Sequence, residues 1–102
     1  MNYRDLETVR QIILFATGLE VTYAYDDLVF PDNTIFLIQF DDVDLNNLYI
    51  HFQEDCEEQA RQNVIKEIQK ECEKRGCRVT YKGEFTLEPS GDDMDIKFKN
   101  AS

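Results

Sequence analysis

The apolar residues of this chain repeat every three to four positions near the start, every second position through the middle, every fourth position after residue 55, and every second position again to the end. A period near 3.6 gives a helix one apolar stripe, and a period of two gives a strand one apolar face, so the chain must fold as helices against sheet. Leu6, Val9, Ile13 and Ala16 share one face of a first helix that the pattern places over Tyr3 to Thr17, with Asn2 as N-cap, Asp5 in its first turn and Gly18 as its stop. Leu19, Val21, Tyr23 and Tyr25 then alternate with Glu20, Thr22, Ala24 and Asp26 as a half-buried strand, and a turn is expected from Asp26 to Asn33 around Pro31.

The run Thr34 to Phe40 is nearly all apolar, which is the mark of a strand covered on both faces. Leu48, Ile50 and Phe52 alternate with Tyr49, His51 and Gln53 as a third strand, after a loop from Asp41 to Asn47. A second helix opens at a capping-box-like pair, Asp55 and Glu58, carries the ridge Cys56, Ala60, Val64, Ile68 and Cys72, and stops at Gly76. Glu57 with Arg61 and Glu71 with Arg75 stand one turn apart on it and can pair. Two more strands follow. Cys77, Val79, Tyr81, Phe85 and Leu87 share one parity, with a bulge or bend at Gly83, and a turn over Glu88 to Asp92 leads into Met94, Ile96 and Phe98.

The expected fold is a single α+β domain over residues 1–102: a five-stranded, mainly antiparallel sheet with two helices on one face, in the order α-β-β-β-α-β-β. An apolar fraction of 42% and an aromatic fraction of 12% supply a packed core. This order, with the small size and low isoelectric point, resembles that of the secretion chaperones of bacterial type III systems, whose pattern adds a third helix after the last strand. The resemblance implies a chaperone-like binding role and assigns no residue.

Charge is the second constraint. The formal net charge is −10, and no lysine or arginine occurs between Arg10 and Arg61. That stretch holds Glu20, Asp26, Asp27, Asp32, Asp41, Asp42, Asp44, Glu54, Asp55, Glu57 and Glu58. Direct nucleic-acid binding is disfavoured, because phosphates are held by lysine and arginine. The N-terminal residues lack the pattern of a secretory signal, no apolar run is long enough to span a bilayer, and three cysteines in a chain read as cytoplasmic are expected as reduced thiols.

Catalytic parts are scarce. Cys56, Cys72 and Cys77 are expected to be structural, and His51 is expected on the sheet surface. The single histidine and the tight ligand spacing that zinc demands leave no zinc motif, and no cofactor is expected. Asp42-x-Asp44-x-Asn46 matches the first three ligand positions of a calcium loop, but Asn47 stands where the glycine is needed and Gln53 where the bidentate glutamate is needed, which favours a solvated turn.

The function expected is therefore that of a stoichiometric, protein-binding module acting on a basic partner surface, in the manner of an inhibitor, an immunity protein or a chaperone. The carboxylates expected to contact the partner are Asp26, Asp27, Asp41, Asp42, Asp44, Asp55, Glu57 and Glu58. Ile35, Leu37, Tyr49 and His51 are expected on the sheet face away from the helices, where they would form a partner or homodimer surface. A small-molecule-binding domain with a cleft under the sheet, and an enzyme with an unrecognised site, are the alternatives.

Overall fold

The computed structural model describes residues 1–91 and 93–100. Helix α1 (Leu6–Thr17) precedes strands β1 (Val21–Tyr25), β2 (Leu28–Pro31), β3 (Phe36–Phe40) and β4 (Asn47–Gln53), and helix α2 (Glu58–Glu73) precedes β5 (Arg78–Ser90) and β6 (Asp93–Asn100). All the strands join in one sheet of order β1-β2-β3-β4-β5-β6. Among the described residues the fold is α+β with two helices, but the sheet has six strands rather than five. It is also mixed rather than mainly antiparallel. β4 and β5 pair in parallel, because α2 carries the chain back to the end of the sheet from which β4 set out.

The added strand is β2, in the stretch expected to be a turn. Asp26 takes a left-handed φ of 55°, which a short polar side chain tolerates, so Asp26-Asp27 alone reverses the chain. Pro31 ends β2 opposite Val21, next to a register shift between Val21 and Tyr23, where loss of an N–H donor is harmless. The bend expected at Gly83 is a bulge: Ile50 stands opposite Tyr81 and His51 opposite Gly83, which leaves Lys82 between them.

Helix α1 begins three residues later than expected, because Arg4 has a φ of 45°, and Asp5 rather than Asn2 is its N-cap, accepting from the Thr8 N–H at 3.2 Å. Gly18 ends it in the left-handed region, as the pattern demanded. The capping pair at Asp55 and Glu58 does not form. Glu57 is the N-cap and makes no side-chain cap bond.

Val9, Ile12 and Ile13 of α1 and Ile68 and Cys72 of α2 pack against Phe36, Ile38, Phe40, Leu48, Ile50 and Phe52. At roughly 25 cal/mol per Å², burial of this cluster is the main force holding both helices to one face of the sheet. The opposite face has a smaller core of its own, in which Phe30, Leu37 and Phe85 are packed by Leu28, Leu87 and Ile96. Residues of β2, β3, β5 and β6 meet there because the sheet curls, and the His51 and Phe98 rings come to 4.7 Å across β5.

Candidate functional site: two acidic ends and a cleft

The strands divide the acidic residues between opposite ends of the sheet. The Asp26-Asp27 turn and the Asp41–Asn46 loop lie at one end, and the loop from Glu54 to Glu57 lies at the other. Between them runs β4, whose seven residues span roughly 20 Å. The carboxylates therefore form two patches rather than one docking surface.

At the first end, the chain supplies its own cations. Arg4 reaches Asp26 at 2.7 Å and Asp42 at 2.7 Å, and Arg78 pairs with Asp44. Hydrogen bonds from Arg4 pull the Asp42 carboxyl below the usual range, and those from Arg78 do the same for Asp44. Asp41 accepts from the N–H groups of Asp44 (3.0 Å) and Val43 (2.9 Å) and from the Asn47 amide (3.2 Å), and these bonds hold its carboxyl down at about 2. Asp27 accepts from the Gln39 amide at 2.9 Å. The side chains read as a partial calcium loop are thus turned to other groups: Asp42 to Arg4, Asp44 to Arg78, and Asn46 to the N-terminal ammonium at 2.6 Å. Among the described residues, no group of three or more His, Cys, Asp or Glu is arranged to hold a metal ion.

At the second end, the loop is held from beneath. Arg61, expected to pair with Glu57 on the helix surface, is buried: Nε donates to the Cys56 carbonyl at 2.8 Å, and Nη2 donates to the carbonyls of Glu54 at 3.0 Å and Gln53 at 3.2 Å. Nη1 donates to Tyr81 Oη at 2.6 Å, Glu84 completes the site as an ion pair at 2.7 Å, and the guanidinium lies 5.8 Å from the Phe52 ring centroid. Burial opposes the charge, but bonds to Glu84 and Tyr81 outweigh it and raise the Arg61 pKa. Asp55, Glu57 and Glu58 are exposed, and among the described residues none has a cation within 4.0 Å. Beside them is a shallow hollow of about 400 Å³ with Ile35, Cys56 and Ala60 in its lining and Asp55 and Glu57 at its edge.

The sheet face expected to be open is largely closed. Leu37 is fully buried and His51 is 4% exposed, because β5 and β6 curl over them, so neither offers a surface to a partner or a second copy. Tyr49 is half-buried beneath Lys82, whose Nζ lies 4.4 Å from its ring centroid. Ile35 alone of the four is exposed, and it belongs to the hollow beside Asp55. His51 shares a hydrogen bond of 2.9 Å with Gln39 through Nε2, and its Nδ1 is buried without a partner. Burial first, and the charge of Lys82 second, hold its pKa down at about 4.

A cleft of about 730 Å³ opens on this face, lined by Tyr23 and Tyr25 of β1, Leu28 and Phe30 of β2, and Asp93, Asp95, Ile96 and Phe98 of β6. Sequence reasoning assigned none of these residues to a site, since alternation says which side of a strand is apolar but not which strands curl together. Arg61 was legible in part: with Ile65, Ile68 and Cys72 it continues an i, i+4, i+7, i+11 stripe, whereas Ala60, assigned to the buried ridge, is exposed. Comparison with protein-family models, curated proteins and solved structures finds no match to this chain in any of the three.

Proposed function

We propose that this chain is a stoichiometric protein-binding module whose β4–α2 loop docks a basic surface of a partner protein. The observation that carries the reading is the Arg61 clamp under Asp55, Glu57 and Glu58. Exposed carboxylates on a loop whose backbone is tied down at Gln53, Glu54 and Cys56 lose little conformational freedom on binding. The hollow beside them fits the alkyl stem of a lysine or arginine against Ile35 and Ala60, with its charged head at Asp55 or Glu57. The first acidic end is the weaker candidate, because Arg4 and Arg78 already engage Asp26, Asp42 and Asp44.

The test is capture of the partner from the native host with the wild-type chain, followed by association kinetics with Asp55→Lys/Glu57→Lys. Steering by rim charge appears mainly in the on-rate, so the variant is expected to associate about tenfold more slowly at low salt, with the difference shrinking as salt rises. Equal on-rates for the two proteins at both low and high salt would sink the reading.

A further inference from the structure

We propose that the cleft between β1 and β6 receives an extended, basic segment of a partner protein, which adds as a strand along the free edge of β1. Three observations converge on it. First, β1 and β6 are the two edge strands of the sheet among the described residues, and residues of both line the same cleft, together with Leu28 and Phe30 of β2. A strand edge with free N–H and C=O groups is a template for another chain.

Second, the two edges differ in how they are guarded. β6 carries Asp93, Asp95, Lys97 and Lys99, charges of the kind that discourage strand addition. β1 reads Val-Thr-Tyr-Ala-Tyr, with no charge and no proline, and Thr22 to Tyr25 are exposed. An exposed edge without those protections is suited to a partner strand.

Third, the lining selects the partner's chemistry. Tyr23 and Tyr25 are 58% and 65% exposed and Phe98 is 46% exposed, so aromatic faces are available for apolar side chains and for cations. Asp93 and Asp95 supply the only charges among the described lining residues, and no ion pair engages either of them among the described residues, the neighbouring Lys97 pairing with Glu88 and Lys99 with Glu54. A strand presents alternate side chains to opposite sides, so the fitting segment alternates apolar residues, set on the aromatic floor, with lysine or arginine, set toward the aspartates. A second copy of this chain is disfavoured by a net charge of −10 on each molecule. The site shares no residue with the β4–α2 loop and does not depend on it.

The experiment selects binders from display libraries of nine-residue peptides in which apolar residues alternate with Lys/Arg, with Asp/Glu, or with Ser/Gln. The expected result is binders from the basic library alone, amide-exchange protection on β1, and a loss of about tenfold or more in affinity for each of Asp93→Lys/Asp95→Lys and Tyr23→Ser/Tyr25→Ser. An analogue of the best peptide with alternate backbone nitrogens methylated, which cannot complete the ladder, is expected to bind at least about tenfold more weakly to the unaltered protein. Asp55→Lys/Glu57→Lys is expected to leave this binding unchanged, so failure of the loop reading and failure of this one are distinguishable. The proposal is overturned by no binders from the basic library, by equal yields from the acidic one, by a methylated analogue that binds as well, or by self-association that protects β1 without any peptide.

Discussion

Arg61 of α2 and Glu84 of β5 form a 2.7 Å ion pair in which the arginine side chain is only 7% exposed, and the same guanidinium donates to the carbonyl of Gln53 at the end of β4 and to those of Glu54 and Cys56 in the loop that follows. One buried cation thus joins a helix, a strand and the loop that presents Asp55 and Glu57.

Replacing Arg61 with alanine is expected to cost about 3 kcal/mol, since it leaves the Glu54 and Cys56 carbonyls and the Tyr81 hydroxyl without the guanidinium and the Gln53 carbonyl with only the Cys56 N–H. Glu84→Ala should cost less, because Glu84 is 30% exposed and water can take its place on the guanidinium. Urea denaturation ranks the two, and equal losses would show that the carbonyl contacts matter little.

His51 should make stability depend on pH. Its folded pKa of about 4 lies below the ordinary 6.5, so between those values the unfolded chain takes up a proton that the native one refuses. The stabilisation is complete above pH 6.5 and is lost as pH falls toward 4, which amounts to about 2 kcal/mol between pH 7 and pH 5. Urea midpoints at those two pH values should show the loss, and His51→Gln should remove most of it.

Asp41 should act in a lower window. Its carboxyl is held at about 2 against an ordinary 3.8, so its contribution is present above 3.8 and disappears as pH falls through 2. Asp41→Asn is expected to lower the melting temperature at pH 7 and to flatten the melting temperature between pH 4 and pH 2. A nuclear magnetic resonance titration of Asp41 near 3.8 in the native protein would contradict the turn geometry.

The thiols should separate by burial. Cys72 and Cys77 are buried, and burial pushes the Cys72 thiol well above its usual range, while Cys56 is half-exposed at the acidic loop. A thiol reagent should label Cys56 in the native protein and the other two only after denaturant is added. Cys72→Ser is expected to cost about 1–3 kcal/mol, because it places a hydroxyl among apolar neighbours.

The helices and most strands were legible because their signals are local. The α1 stripe, its stop at Gly18, and the alternation Leu48, Ile50, Phe52 need only near neighbours to take effect. β2 was missed because its turn is Asp-Asp rather than a glycine pair and its last residue is proline, so no short-range cue marked a hairpin. Both acidic stretches were legible as carboxylates, but their division between opposite ends of the sheet follows from the direction of β4.

Composition and period by themselves determined an acidic α+β chain, the face of β3 that meets the helices, and the carboxylates that have no cation nearby in sequence. Tertiary structure decided that Arg4 and Arg78 return to one group of those carboxylates, that Arg61 turns inward to brace the loop of the other, and that the sheet curls until Leu37 and His51 are covered and a cleft remains between β1 and β6. The physical reason is range. Side-chain period depends on residues within one turn of helix or a few positions of strand, whereas charge pairing and strand curl join residues tens of positions apart, whose meeting is set by the packing of the whole chain.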